Sequence, residues 1–206
     1  GTQLSNLRSD FDDGVTVEFW LKTGSLDYSS TTEKQVIFDM WNNVIPTASS
    51  DYGRIRIELN SAAASPIIFT VQSGSVTKTS TIGSGTSATD SFGDWQHYAL
   101  VFENTGSLFR TRLYVNGIFN DVVATAGTVS ELNSKNMMAR LGSLITSPSG
   151  SSAAAGAGKL SGSMDEFRFW KVARDAKQIG DNWFDQVGGG TNSDVVNATL
   201  GVYYKF

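Results

Sequence analysis

The strongest constraint on the fold is a period-two alternation of apolar and polar residues that recurs along the chain. Residues 15–22 place four apolar side chains on one face of a strand and Thr, Glu, Trp and Lys on the other. Residues 54–59 alternate more cleanly, and the pattern predicts that Arg54, Arg56 and Glu58 point to solvent. This period is typical of strands with one buried face, so the chain is predicted to be all-β.

One hairpin and one helix are predicted with the remaining strands. Asn116-Gly117 separates two alternating runs, and this pair suits a tight hairpin because both positions accept positive φ. Residues 175–184 carry Ile179 and Trp183 at helical spacing, although Gly180 weakens a helix. Further strands are predicted at 35–40, 67–71, 76–82, 95–102, 110–115, 118–123, 137–142, 164–170 and 200–206.

Many short strands, Gly- and Ser-rich turns and one late helix predict a two-sheet antiparallel jelly-roll sandwich. The 206 residues suit a single domain, 1–206, and we expect it to be a piece excised from a larger protein. Two stretches, 72–91 and 143–162, are low in complexity and are predicted to be loops, with an edge strand at 76–82.

Composition excludes several classes of function. The chain has no cysteine and a single histidine, His97, so disulfides, thiolate metal sites and paired-histidine chemistry are excluded. Its net charge of −4 and lack of a basic run argue against a nucleic-acid partner. No apolar stretch approaches the roughly 20 residues that a membrane span requires. Any metal ligands must be carboxylates and carbonyls, which favours calcium or a similar hard cation.

Four segments together resemble the concanavalin A-like jelly roll of laminin G-like and pentraxin-like modules. They are 11–22, 95–102, the 113–117 strand that ends in Asn-Gly, and 160–170, which contains Asp165-Glu166. The resemblance implies a sandwich of roughly 12 to 14 strands with adjacent termini. It also implies an extracellular, cell-surface or virion location, since residues 200–206 resemble linker strands of surface and phage-virion proteins. It does not fix function, because lectins, glucanases, adhesion modules and spacers share this fold.

The paired carboxylates of glycosidases with this fold are not found. Those enzymes place two acids on one strand in a Glu-x-Asp-x-x-Glu pattern, which this sequence lacks. Asp165 and Glu166 are adjacent and would face opposite sides of a strand. The chain is therefore predicted not to be an enzyme, with an unusual glycosidase as the least favoured alternative.

A structural calcium ion is a further expectation from the resemblance. The pentraxin-type double site is predicted to be absent, because its second loop, 141–147 here, carries no carboxylate. Asp165 matches the late-strand aspartate of laminin G-like modules, where one Ca²⁺ is often held. Asp12, Asp13 and Asp39 are candidate co-ligands. The alternative is that Asp165 faces solvent or accepts backbone N–H bonds.

The candidate ligand site is a loop whose composition suits saccharide binding. Trp41, Asn42, Asn43, Asp51 and Tyr52 supply aromatic faces and amide or carboxylate groups between two predicted strands. The resemblance places the 143–158 loop near them. The alternative is a capped turn with Trp41 folded onto the sandwich edge.

Most other aromatic residues are predicted to have packing roles. Trp95 and Trp170 are assigned to the core or a sheet face, Trp183 to the helix contact, and His97 to a structural position.

The sequence thus predicts a non-catalytic carbohydrate-binding or adhesion module. The alternative is a structural or protein-interaction module in a repeated array, without a small-molecule ligand. The expected partners are a glycan or polysaccharide, or neighbouring domains of the parent protein.

Overall fold

The computed structural model describes residues 6–23, 35–45, 49–59, 65–83, 93–132, 137–145, 158–187 and 199–206. These residues form two antiparallel sheets and one short helix. The elements are β1 (Val15–Thr23), β2 (Gln35–Trp41), β3 (Gly53–Leu59), β4 (Ile67–Ser73), β5 (Val76–Ile82), β6 (Gln96–Thr105), β7 (Leu108–Val115), β8 (Ile118–Ala126), β9 (Met138–Leu141), β10 (Gly162–Trp170), α1 (Ala176–Asn182) and β11 (Leu200–Tyr204).

The six-stranded sheet has the order β11-β10-β1-β6-β7-β8. Val17 pairs with Leu100, which in turn pairs with Leu113, so the apolar positions of the three central strands share one face. This face forms a buried core, whose largest members are Phe19, Tyr98, Phe102, Phe109, Phe167 and Phe169. Burial of the alternate residues is the main stabilising contribution to this sheet.

Helix α1 packs on the other face of the same sheet. Asp175 caps the helix by accepting a bond from the backbone N–H of Gln178, whose side chain bonds back to Asp175. Ile179 is fully buried in a cluster with Ala99, Val101 and Tyr114. Gly180 fits here because a Cβ would lie 3.3 Å from the carbonyl oxygen of Gly117. The predicted helix is confirmed, shorter by a residue or two at each end.

The Asn116-Gly117 hairpin is also confirmed, between β7 and β8. Both residues have positive φ, 49° and 77°. The Asn116 carboxamide accepts a bond from the backbone N–H of His97, which ties the turn to β6. Gly117 is required for a second reason, since a Cβ would overlap the ring of Trp183.

The five-stranded sheet has the order β5-β4-β3-β2-β9. Its apolar face is buried and consists of Phe38, Met40, Ile55, Ile57, Ile67, Phe69, Val71 and Ile82. The opposite face carries polar and charged side chains on every strand.

The predicted fold class, an all-β two-sheet antiparallel jelly roll, is confirmed. The described residues form 11 strands, against the 12 to 14 that the resemblance implies. The chain divides into two compact units, each built around one sheet, and the assignment of 1–206 to a single domain stays a prediction. In the low-complexity stretches, the edge strand at 76–82 is confirmed as β5, while 84–92 and 146–157 lie outside the described residues.

Two tryptophans differ in their packing. Trp170 is 2% exposed, as predicted, and its ring lies under the guanidinium of Arg174 at 4.3 Å. Trp95 is 43% exposed, so its assignment to packing was wrong. It precedes the first paired residue of β6, Gln96, and the alternation that buries the strand does not extend to it.

Candidate functional site

A polar face covers one side of the five-stranded sheet. The strand register aligns one polar residue from each strand in a single row: Arg140, Asp39, Arg56, Thr70 and Thr79. The next row contains Met138, Trp41, Arg54, Gln72 and Thr77. We call these ten residues, together with Glu58, the polar face.

A buried ion pair lies at the centre of the polar face. Nε and Nη2 of Arg54 donate to the two carboxylate oxygens of Asp39 at 2.8 and 2.6 Å. Asp39 is fully buried and Arg54 is 7% exposed. Burial disfavours the charge of Arg54, but its hydrogen bonds to Asp39 and the negative charge of Asp39 outweigh burial and raise the Arg54 pKa above its ordinary value. The bidentate geometry fixes both side chains.

The prediction that Arg54, Arg56 and Glu58 point to solvent was wrong for Arg54 and Glu58, which are buried. Glu58 is 3% exposed and accepts a 2.7 Å bond from Nε of Arg56, whose side chain is 20% exposed. Alternation correctly placed these residues opposite the apolar face. It could not show that Asp39, on the neighbouring strand, would allow Arg54 to be buried.

The predicted ligand loop is held together by its own polar groups. Nδ2 of Asn42 donates to the carbonyl oxygen of Asp51 at 2.6 Å, and its Oδ1 accepts the backbone N–H of Gly53 at 3.0 Å. The hydroxyl of Tyr52 accepts a 3.3 Å bond from Arg54. Asn42 is 1% exposed, Tyr52 4% and Trp41 7%. These three side chains therefore shape the loop and border the polar face.

Asn43 and Asp51 are the two members of the predicted set that face solvent. Asn43 has a φ of 58°, a conformation that Asn tolerates better than most residues. Asp51 donates its backbone N–H to the Ser49 hydroxyl at 3.3 Å. The five predicted residues thus lie between the last residue of β2, Trp41, and the start of β3, and their role in binding stays a prediction.

The segment after β9 borders the polar face, as the resemblance implies for the start of the 143–158 loop. The backbone N–H of Ile145 donates to Oδ2 of Asp39 at 2.8 Å. The carbonyl oxygen of Leu144 accepts a 3.1 Å bond from Nη1 of Arg140. The 142–145 segment is therefore anchored to Asp39, two residues before Trp41.

The four candidate calcium ligands occupy different environments. Oδ1 of Asp165 accepts the backbone N–H groups of Glu166 and Phe206 at 2.8 and 3.0 Å. Asp12 is exposed and accepts a 2.7 Å bond from Asn104. Asp13 is exposed, while Asp39 is committed to Arg54 and the N–H of Ile145.

These residues do not form a carboxylate cage for calcium. Across the described ranges, no three His, Asp or Glu side chains group closely enough to hold a metal ion. The pairing with Arg54 argues against Asp39, because both of its oxygens already accept strong bonds. Asp165 has the backbone-acceptor role that the sequence left open as the alternative, and calcium binding there stays a prediction.

Sequence reasoning missed a buried charged cluster on the helix side of the six-stranded sheet. Oε1 of Glu18 lies 2.5 Å from Nη1 of Arg174, and its Oε2 lies 3.4 Å from Nη1 of Arg168. Arg168 also donates to the carbonyl oxygen of Asn182 at 3.2 Å, and Arg174 to that of Gln178 at 2.8 Å. The two arginines therefore bind two carbonyl oxygens of α1 while neutralising Glu18.

His97 belongs to this cluster and is fully buried. Its Nε2 lies 3.4 Å from Oε2 of Glu18, and its ring contacts Trp20 and Trp183 at centroid distances of 5.8 and 6.1 Å. Burial lowers the pKa of His97, and the bonds and charge of Glu18 only partly oppose this. A buried, neutral histidine agrees with the structural role predicted for it.

The class of protein follows from a laminin G domain model of the concanavalin A-like lectin/glucanases superfamily, which matches residues 1–180. The chain belongs to that superfamily. No curated protein sequence matches it significantly. No described helix is long and apolar enough to cross a membrane.

Solved structures share the fold at low sequence identity. A heptameric SAP-like pentraxin from Limulus polyphemus has a TM-score of 0.51 and 14% identity, over 87% of this chain and 80% of its own. A Bacteroides ovatus protein whose name proposes carbohydrate binding has a TM-score of 0.52 and 17% identity, over 96% and 48%. Tailspike protein 2 of an Escherichia coli O157:H7 bacteriophage has a TM-score of 0.56 and 11% identity, over 98% and 25%. The chain thus spans about half of the Bacteroides protein and a quarter of the tailspike.

Proposed function

We propose that this chain is a non-catalytic carbohydrate-binding or adhesion module that holds saccharides on the polar face of its five-stranded sheet. The Trp41–Tyr52 loop and the 142–145 segment border that face, and Asn43 and Asp51 are its solvent-facing contributions from the loop. As part of the proposal, the module is presented at a cell surface or on a virion by a larger protein.

One observation supports this proposal above the others: the row of polar side chains that crosses all five strands. Arg140, Asp39, Arg56, Thr70 and Thr79 form one line of polar groups, in which Arg140 and Thr79 are exposed, Arg56 is partly exposed, and Asp39 and Thr70 are buried. Oγ1 of Thr79 lies 3.1 Å from Oγ1 of Thr70, which confirms that their side chains point to the same side. Saccharide hydroxyls require many such donors and acceptors on a preformed surface. The Bacteroides protein that shares this fold has a name consistent with the same function.

The non-catalytic part of the proposal follows from how the carboxylates are used. Asp39 and Glu58, the acids of the polar face, accept bonds from Arg54 and Arg56. A general acid of a glycosidase must reach the substrate, whereas Asp39 and Glu58 are buried. Release of reducing ends from a bound polysaccharide would contradict this part.

A steric block of the polar face tests the site. Thr79 is exposed on the edge strand β5, and Tyr is well accepted in strands, so Thr79→Tyr adds bulk without a packing clash. Ala124→Tyr is the matched control, at an exposed position of β8 in the other sheet. A glycan array and affinity electrophoresis should show binding by wild type and by Ala124→Tyr, and weaker binding by Thr79→Tyr. Equal binding by both variants would move the site elsewhere.

A protein-interaction role remains the second candidate because the six-stranded sheet exposes large apolar side chains near its hairpin. Ile118 is 72% exposed, Phe119 51% and Phe184 61%. Phe184 lies against Trp183 with their rings 5.6 Å apart. Exposed apolar groups of this size often mark contacts with another protein. Concentration-dependent association that Phe119→Ser abolishes would favour this function.

A further inference from the structure

We infer that the polar face recognises acidic saccharides, and that Arg56 and Arg140 bind their anionic groups. The inference rests on the proposed function and names its ligand class. The shared chemistry is a carboxylate or sulfate carried on a sugar. Three observations support it: the charge balance of the face, the unused donors of the two arginines, and their placement.

The charge balance of the polar face leaves Arg140 without an acidic partner. On the strands, three arginines, Arg54, Arg56 and Arg140, stand against two carboxylates, Asp39 and Glu58, and exposed Asp51 in the bordering loop adds a third. Asp39 is committed to Arg54, and Glu58 accepts from Arg56. Arg140 has no carboxylate partner within the described part of the chain. An exposed arginine without an acidic partner favours an anionic ligand over a neutral one.

Donors remain available on both arginines. Arg56 uses Nε for Glu58, and its two terminal nitrogens have no partner among the described residues, while 20% of its side chain is exposed. Arg140 is exposed, and the bond from its Nη1 to the carbonyl oxygen of Leu144 is its one contact in the ranges described. A guanidinium with two free N–H groups can hold a carboxylate or sulfate in bidentate fashion.

The placement of the two arginines suits an extended ligand. Both are register partners of Asp39, Arg140 from β9 and Arg56 from β3. Two strand spacings separate them, so their Cα atoms lie about 10 Å apart. Between them lies Asp39, which is fully buried and neutralised by Arg54, so it presents no exposed negative charge to repel an acidic ligand. Exposed Thr77 and Thr79 extend the row with hydroxyl groups for neutral parts of the sugar.

The test measures binding of the whole chain to polygalacturonate, alginate and hyaluronan, to dextran sulfate, and to neutral dextran and β-glucan, at low and high salt. Arg56→Gln and Arg140→Gln should each weaken binding to the acidic polymers about tenfold, since a charge-assisted hydrogen bond is lost. Arg140→Lys should restore part of the Arg140 contribution. Arg110→Gln, a half-exposed arginine of the other sheet, is the matched control and should bind as wild type. Melting temperatures of all variants establish that they are folded.

Each outcome has a distinct meaning. Arginine-dependent, salt-sensitive binding to a carboxylated or a sulfated polymer supports the inference and identifies which anion is recognised. Binding to neutral polymers that the arginine substitutions leave unchanged overturns the inference but keeps the proposed function. Binding to none of the polymers overturns both.

Discussion

Arg174 and Glu18 form a buried ion pair, with 2.5 Å between Nη1 and Oε1, which joins β1 to the segment just before helix α1. Glu18 is fully buried and Arg174 is 6% exposed. Glu18 and Arg174 lie far apart in the sequence, and their ion pair connects β1 to the segment before the helix. Arg168 and His97 complete the surroundings of the carboxylate.

Removing Glu18 should destabilise the protein strongly. Glu18→Ala would leave buried Arg174 without a carboxylate and Arg168 with Glu166 alone, and breaking a buried ion pair in this way typically costs about 3–5 kcal/mol. Glu103→Ala is the matched control, because Glu103 also lies near two arginines, Arg110 and Arg112, but at a more exposed site. It should cost about 1 kcal/mol or less. Urea denaturation measures both, and similar costs for the two variants would contradict the importance assigned to the cluster.

Stability should fall as the pH drops from about 7 to 5. Burial lowers the pKa of His97 below its ordinary 6.5, so the unfolded chain binds a proton in this range that the folded chain does not. The stability that the buried, neutral His97 contributes is complete above pH 6.5 and is lost as the pH falls below that value. The groups that face His97 are Glu18, Arg168 and Arg174.

His97→Gln tests this linkage because the chain contains no other histidine. The unfolding free energy of the variant, measured in urea from pH 5 to 8, should change less with pH than that of wild type. Burial raises the pKa of Glu18, but the bonds and charges of His97 and Arg174 outweigh it and lower the pKa, so wild type should show a second loss of stability below pH 4.5. This second loss should be smaller in His97→Gln, which keeps only the Arg174 contribution. If the unfolding free energies of wild type and His97→Gln changed equally with pH between 5 and 7, His97 would be excluded as the cause of the pH dependence.

Sequence periodicity predicted the strands because one face of each is continuously apolar, and the Asn116-Gly117 turn because few residue pairs accept its φ angles. It could not predict the buried charges. From alternation alone, Arg54 is predicted to face solvent. Its partner Asp39 is found only when β2 is known to pair with β3. Glu18 likewise lies 150 residues or more from Arg168 and Arg174. Pairings over such separations depend on sheet topology, which alternation alone does not encode.

For the candidate ligand loop too, the sequence did not show which polar groups would pair with one another. Its composition correctly indicated an organised loop, but composition does not show which polar groups are used internally. Asn42 satisfies the backbone of Asp51 and Gly53, whereas Asn43, its neighbour, faces solvent.

Asn42→Ala should therefore destabilise the protein by about 1–3 kcal/mol, since buried backbone groups lose their partners. Asn43→Gly is the matched control at the adjacent position. Glycine adopts the φ of 58° without strain, so this change should be neutral within about 0.5 kcal/mol. Thermal melting and urea denaturation provide both values. If Asn42→Ala leaves stability unchanged but weakens glycan binding, Asn42 contacts the ligand directly.

Asp165 should tolerate an amide far better than an alanine. Its Oδ1 accepts the backbone N–H groups of Glu166 and Phe206, and Asn retains an oxygen in that position. Glu166 has a φ of 50°, an unusual backbone conformation that the Asp165 contact helps to hold. In chelator, Asp165→Asn should lie within about 0.5 kcal/mol of wild type, while Asp165→Ala should lose about 1–2 kcal/mol. Equal losses for both variants in chelator would show that the carboxylate charge matters.

Melting in millimolar Ca²⁺ then separates the two roles of Asp165. A rise in Tm that wild type shows and Asp165→Asn lacks would establish the calcium site, and unchanged Tm values would leave Asp165 as a backbone acceptor alone.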